Sequence, residues 1–196
     1  MKVVAVTGSI GCGKTTLSGI IRDLGYVVYD VDKWCRGLYF DNNFLQLIKR
    51  HFPETWQNGV FNKRKLRTMV FDDKNKLKKL EELTHPFLKQ KFLSTLHKAA
   101  RCGEEVVFVD VALLFEMGWE QYCTDIIVAD APYCVQKQRV MLRDNISEAD
   151  FDKINALQLN NADRIALSDY VVNTDKAIGL LKAELSILIN ELDIEC

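Results

Sequence analysis

What this chain has little of narrows its identity first. Three prolines, and ten glycines without a repeating period, exclude collagen-like and low-complexity chains. No apolar run approaches the roughly 20 residues needed to span a bilayer. The six cysteines (Cys12, Cys35, Cys102, Cys123, Cys134 and Cys196) include no C-x-x-C pair, so a zinc ribbon or thioredoxin-like site has no support. Three dispersed histidines, His51, His85 and His97, suggest no metal cluster. An excess of one charge is missing too. Lys and Arg number 26 and Asp and Glu 27, giving a net charge of -1. A general electrostatic grip on nucleic acid or an anionic membrane is therefore not indicated. Met1 to Val6 runs at once into a glycine-rich turn, too soon for a signal-peptide core. A cytoplasmic protein with reduced thiols is expected, with no obligate protein partner evident.

What is present is an ordinary globular composition, 48% hydrophobic and 10% aromatic over 196 residues. A chain this long buries roughly 70% of its unfolded surface and needs no disulfide or metal staple. Short β-branched runs at Lys2 to Val6, Tyr26 to Tyr29, Glu105 to Val109, Asp125 to Ala129 and Tyr170 to Val172 read as strands. Helical spacing separates most of them. Lys14 to Leu24 carries Leu17, Ile20, Ile21 and Leu24 on one face, with Gly25 placed to end the helix. Lys176 to Leu192 reads as a final helix. Strands alternating with helices imply a parallel sheet covered on both faces. The long stretch from Val31 to Gly103 reads as a helical insertion, with helices at Asn42 to His51, Lys63 to Phe71 and Phe87 to Ala100. Pro86 is placed near the first turn of the last, which leaves His85 extended. A second, charged excursion runs from Val135 to Arg164.

The strongest local signal is Gly8-Ser9-Ile10-Gly11-Cys12-Gly13-Lys14-Thr15, which fits G-x-x-x-x-G-K-[ST] at every fixed position. Glycines let backbone N–H groups curl around a phosphate. The helix start adds unpaired N–H groups and a favourable dipole. Lys14 can reach the β- and γ-phosphates, and the Thr15 hydroxyl can ligate Mg²⁺. Cys12 fills a free position, where a helix N-terminus can lower a thiol pKa. The loop predicts a nucleoside triphosphate site without naming a reaction. The D-x-x-G and N-K-x-D motifs of a GTPase are missing. Size and layout suit a small kinase with an acceptor-binding insertion and a mobile lid.

Ligands of open parallel sheets bind beyond the carboxyl ends of the strands. Asp30 and Asp32 follow the second strand and Asp110 ends the third. A carboxylate beside the acceptor can orient its hydroxyl or take its proton, and Asp32 is the first choice. Asp110 falls near the water shell of the metal. Arg139 and Arg143, four apart on a predicted helix, share one face and can close over a phosphoryl group. Lys63, Arg64, Lys65, Arg67, Lys74, Lys76, Lys78 and Lys79 form a basic cluster able to hold an anionic acceptor. His85 stands at the mouth of the acceptor site in this reading. Another small-molecule kinase, or a non-catalytic nucleotide-binding module, shares much of this pattern.

The ordered set of motifs resembles the dephospho-coenzyme A kinase family over nearly the whole chain. The opening Val6 to Thr16, with Gly8 to Thr16 as the nucleotide loop, is similar to that family's V-T-G-G-I-G-S-G-K-S-T. So are Asp30-Val31-Asp32 to its D-A-D, His85-Pro86 to its H-P, and Ala112-Leu113-Leu114-Phe115-Glu116 to its P-L-L-F-E. Asn58-Gly59 through Phe71, the arginines Arg139 and Arg143 with Asp144, and Gln158 also correspond. Ala112 replaces a proline, Lys63 an arginine, and Val171 to Asp175 matches V-I-D-N-x-G only loosely. The resemblance implies a P-loop NTPase-type α/β fold with a five-stranded parallel sheet. Its core would comprise residues 1–30, 104–134 and 165–196, with an acceptor domain at 31–103 and a lid at 135–164. It implies ATP and dephospho-coenzyme A as substrates and Mg²⁺ as cofactor. Lys14, Asp32, Arg139 and Arg143 would be catalytic. Asp32, His85, Leu113 and Asp110 would bind the acceptor, and Thr15 the metal, with Asp110 reaching it through water.

Overall fold

The computed structural model describes residues 1–194; Glu195 and Cys196 lie outside the described residues. From the N-terminus the elements are β1 (Lys2–Thr7), α1 (Lys14–Asp23), β2 (Val28–Asp30), α2 (Val31–Leu38) and α3 (Asn42–His51). A small hairpin follows, β3 (Trp56–Gln57) and β4 (Val60–Phe61), then α4 (Lys63–Phe71) and α5 (Lys74–Arg101). The second half holds β5 (Val106–Asp110), β6 (Asp125–Asp130), α6 (Tyr133–Asp144), α7 (Glu148–Asn155), α8 (Asn161–Ala166), β7 (Tyr170–Asn173) and α9 (Ile178–Ile194). The chain forms two units, one of Met1–Asp30 with the chain from Ala99 onward, the other of Val31–Lys98.

In the first unit the β-branched runs pair into a five-stranded sheet ordered β2-β5-β1-β6-β7, parallel throughout. β1 lies at its centre, with Val4 opposite Phe108 on one side and Asp125 on the other. Its residues are buried on both faces from Val3 to Thr7, which a parallel sheet requires. Val4, Val6, Phe108 and Ile127 form one core with Leu17 and Ile21 of α1 and Leu181 and Leu185 of α9. The chain leaves β1 toward one edge of the sheet and leaves β6 toward the other. That divergence opens a crevice beyond the carboxyl end of β1. α1 ends at a left-handed Gly25, where Gly25 N–H donates to the Arg22 carbonyl (3.0 Å) and Tyr26 N–H to that of Ile21 (3.3 Å). This cap occupies Tyr26, so β2 starts at Val28 rather than at Tyr26.

The second unit is helical around Phe44, Ile48, Phe52, Leu66 and Val70. Asp41 caps α3 and Asn62 caps α4, each side chain accepting a backbone N–H at 2.9 Å. One expectation fails here. Pro86 does not start a helix and His85 is not extended, because α5 runs unbroken from Lys74 to Arg101 with Pro86 inside it. Proline forfeits the bond to the Glu82 carbonyl and costs about 3 kcal/mol. Apolar residues on both sides of it, including Leu83, Phe87, Leu88 and Phe92, hold the helix across the gap by burial. Pro86 itself is exposed, so the freed carbonyl meets water. No described helix is long and apolar enough to cross a membrane.

Candidate active site

The loop between β1 and α1 turns on glycines at positive φ. Gly11 has φ 80°, and Gly13, the N-cap of α1, is left-handed at φ 88°. Space also demands glycine. A Cβ at Gly11 would stand 2.5 Å from the Gln136 carbonyl oxygen, and one at Gly13 would stand 2.7 Å from Thr174 Oγ1. A Cβ at Gly8 would meet the Ala129 carbonyl oxygen at 2.6 Å. The loop is braced from outside. Ser9 Oγ donates to Gln136 Oε1 (2.9 Å), and Ile10 N–H to Gln158 Oε1 (2.8 Å). Thr174 Oγ1 donates to the Cys12 carbonyl at 2.5 Å. Gly13 supplies no side-chain cap, and the first turn of α1 holds no acidic residue. The N–H groups of a helix start lack intrahelical partners, so such an end suits an anion.

Lys14 Nζ pairs with Asp110 Oδ1, with their side chains 12% and 4% exposed. β5 places Asp110 opposite Val6 of β1, which brings its carboxylate to the lysine that opens α1. A buried ion pair contributes little net stability, so its position is more informative than its energy. Thr15 and Thr16 are exposed on the first turn of α1. Among the described residues no three His, Cys, Asp or Glu side chains cluster as a cation site. A hydroxyl and one carboxylate are hard oxygen donors, and Mg²⁺ is commonly held by so few protein groups plus substrate phosphates. The residues present therefore fit that ion.

Arg139 lies on α6, with Nη1 donating to Thr174 Oγ1 (3.0 Å) and to the Gly11 carbonyl (3.4 Å), and Nη2 to the Thr174 carbonyl (3.1 Å). It thus joins the phosphate loop directly. Arg143, one turn on, is exposed and forks onto Asp144 at 2.8 and 2.7 Å, which raises its pKa. Leu113 is half-buried in the connection from β5 to β6. Asp32, exposed in the first turn of α2, and His85, half-buried within α5, belong to the helical unit. The Cys12 thiol is not activated by the helix start. Burial pushes its pKa up to about 11, overcoming the opposing pull of the Lys14 backbone and charge. Helix-start electrostatics therefore lose to desolvation at this position.

Arg164 was not legible as a site residue, yet it is completely buried. Its Nη1 donates to Thr7 Oγ1 (3.2 Å) and the Ala112 carbonyl (3.3 Å), and its Nη2 to Glu116 Oε1 (3.0 Å). Glu116 Oε1 also accepts from Leu159 N–H at 2.8 Å. These bonds tie the end of β1, the connection after β5 and the chain before α8 into one clamp. Thr174 was missed in the same way. Its partners lie more than 30 residues away, and no local pattern announces them.

A parallel sheet with this glycine loop and a lysine heading the helix after β1 defines a P-loop nucleotide-binding protein. The comparisons are specific. A family model described as dephospho-CoA kinase matches residues 2–179. The dephospho-CoA kinase of Bartonella henselae is 33% identical over 98% of both chains. A crystal structure from Thermus thermophilus aligns with a TM-score of 0.84 at 29% identity, covering 97% of each chain. The dephospho-CoA kinase from Campylobacter jejuni aligns at 0.73 with 26% identity over 98% of each. This chain belongs to the dephospho-CoA kinase family.

Proposed function

We propose that the protein transfers the γ-phosphoryl group of ATP to the ribose 3′-hydroxyl of dephospho-coenzyme A, giving coenzyme A and ADP. The 3′-oxygen forms a bond to the γ-phosphorus as the bond to the β–γ bridging oxygen breaks, and the hydroxyl proton passes to a base. Asp32 is that base, or orients the hydroxyl for attack. Lys14 and the backbone N–H groups at the start of α1 stabilise the charge that moves onto the phosphates. The Thr15 hydroxyl, with Asp110 acting through water, would hold Mg²⁺, which would supply charge neutralisation for the triphosphate. Arg139 keeps the loop in shape through Gly11 and Thr174, and Arg143 leaves Asp144 for the phosphoryl group on closure. Leu113 and His85 are assigned to acceptor binding in this reading. The reaction is taken to run in the cytoplasm.

The observation that carries this reading is the braced loop with its buried Lys14–Asp110 pair, in a chain of this family. The test measures ADP formation with dephospho-coenzyme A as acceptor, in the wild type and in Asp32→Asn. That substitution keeps the shape but removes the charge and the basicity. Turnover is expected to fall by roughly 10²- to 10⁴-fold, with ATP binding little changed. An unaltered rate moves the role away from Asp32, with Asp30 next to be tested.

A further inference from the structure

Stability alone does not account for Arg164. Its side chain is fully buried and pairs with Glu116 at 3.0 Å. Its Nε is buried too and has no acceptor. Apolar side chains of similar volume commonly hold such a place as well as an ion pair does, or better. What only a guanidinium supplies is the geometry of its fork. Nη1 donates to Thr7 Oγ1 at the end of β1 (3.2 Å) and to the Ala112 carbonyl (3.3 Å). A guanidinium has no acceptor, so the Thr7 oxygen accepts from it. The Thr7 hydroxyl proton is then left for the Ala112 carbonyl, at 3.4 Å. That carbonyl therefore has two donors, which fix the plane of the peptide leading into Leu113. Nη2 donates to Glu116 Oε1, and the guanidinium carbon lies 5.9 Å from the centroid of the Phe115 ring. Between these anchors the chain turns tightly, the Leu113 carbonyl accepting the Met117 N–H and the Leu114 carbonyl the Trp119 N–H, each at 3.0 Å. Arg164 thus grips the 112–116 turn at its first carbonyl, its ring and its carboxylate.

We propose that Arg164 is a positioning residue for the transfer: it holds the 112–116 turn in register with the end of β1, so that the phosphoryl group passes to the acceptor hydroxyl and not to water. The proposal rests on the kinase reading above, in which Leu113 of this turn is assigned to acceptor binding, and adds what aligns that turn. Thr7 directly precedes Gly8, where the phosphate loop begins. One guanidinium therefore bonds both the residue that leads into the nucleotide loop and the residue that leads into Leu113. The chain before α8 adds a second tie. Leu159 N–H donates to the same Glu116 oxygen (2.8 Å), and the adjacent Gln158 accepts the Ile10 N–H of the loop (2.8 Å). Loop and turn are joined through Thr7 on one side and through Gln158 and Glu116 on the other. In-line transfer depends on such registration, since a misplacement of about 1 Å costs roughly 10²-fold. Water is the competing nucleophile. When its oxygen bonds to the γ-phosphorus as the bridging bond breaks, the products are ADP, inorganic phosphate and a proton, and the acceptor stays unchanged.

The test is Arg164→Lys in the full chain, which keeps a positive charge for Glu116 but has no fork to span Thr7 and Ala112. A second variant, Thr7→Val, keeps the shape and the Arg164–Glu116 pair and removes the shared hydroxyl. Melting curves confirm folding, and where Arg164→Lys does not fold, Thr7→Val decides by the same reading. With ATP and dephospho-coenzyme A both saturating, ADP and phosphorylated acceptor are measured separately. ATP affinity is read by calorimetric titration. In Arg164→Lys, transfer is expected to fall roughly 10²-fold while ATP affinity stays within about twofold. The ADP formed per phosphorylated acceptor should rise above the wild-type ratio, and in Thr7→Val by a smaller amount. An arginine with a merely structural role would lower the melting point and the amount of active enzyme without moving that ratio. An unmoved ratio in the folded variant overturns the proposal, as does a loss of ATP affinity that accounts for the whole loss of transfer. Wild-type protein that forms no phosphorylated acceptor overturns the kinase reading itself. Wild-type transfer with an unmoved ratio in the variant overturns the positioning role alone.

Discussion

Helices α7 and α1 begin in opposite ways. At α7 the chain meets every need of a helix start by itself. Ser147 Oγ accepts the Asp150 N–H at 3.2 Å and donates to Asp150 Oδ2 at 2.7 Å, while Glu148 and Asp150 supply negative charge to the first turn. At α1 the same needs go unmet from within. Gly13 offers no side chain, the first turn has no acidic residue, and Lys14 adds a positive charge where the dipole is already positive. Local rules broken without compensation tend to mark functional places. The contrast teaches that α1 was left open for an anion. α4 stands between them, capped by Asn62 yet lined with cations.

The hardest blow to the contrast is removal of the cation that α1 opens with. Lys14→Ala is expected to lower turnover by roughly 10³-fold or more, since several kcal/mol of transition-state stabilisation disappear. Far-ultraviolet circular dichroism should stay unchanged. Near-normal turnover would show that the open start of α1 is only a structural peculiarity.

An uncapped helix start needs bracing from elsewhere; Gln136, Gln158 and Thr174 brace the loop itself, and the clamp around Arg164 holds the end of β1 that leads into it. Glu116→Gln keeps the shape but leaves a fully buried guanidinium without its counter-charge. The expected loss is about 3 kcal/mol of stability, read as a lower urea midpoint at constant slope. If the midpoint does not move, the loop does not depend on this clamp.

These sites differ in how far the sequence revealed them. The phosphate loop was legible because a fixed spacing of backbone-permissive residues is itself the binding device. The three central strands were legible because burial on both faces leaves continuous apolar runs such as Val106-Val107-Phe108-Val109, and the less buried edge strands by short β-rich runs such as Tyr170-Val171-Val172. Arg164 was not, because its partners Thr7 and Glu116 lie 157 and 48 residues away, and a buried arginine looks like any other charge on a charged helix. α5 was misread at Pro86 for a related reason. Chain-local strain is visible in sequence, whereas the packing of Leu83 and Phe87 around Phe44 and Ile48 that outweighs it is not.

A charge reversal at the open start sharpens the contrast further. Thr16 is exposed in the first turn of α1. Thr16→Glu gives α1 the acidic residue that α7 already has, and should stabilise the fold by about 0.3–1 kcal/mol. The same carboxylate repels phosphate, so ATP affinity in a calorimetric titration should fall about tenfold. Opposite signs in the two measurements are the expected result. ATP binding that survives intact would place the phosphates elsewhere.

The smallest effect is expected where the helix start has no ligand to serve. Ser147→Ala removes the side chain that accepts the Asp150 N–H and breaks its bond to the Asp150 carboxylate. Ser147 currently holds that carboxyl below its ordinary pKa through this bond, so the Asp150 pKa should move back up in a carboxylate titration followed by NMR. Cap removal costs about 1 kcal/mol in typical helices. Glu148 remains in the first turn and limits the loss here. The unfolding midpoint should therefore drop slightly while ATP affinity stays constant. That pairing is the reverse of Thr16→Glu, which gains stability and loses ATP. If Ser147→Ala weakened ATP binding as strongly as Thr16→Glu does, the two helix starts would not be separate devices, and the distinction between a start closed by its own chain and one left open for phosphate would fail.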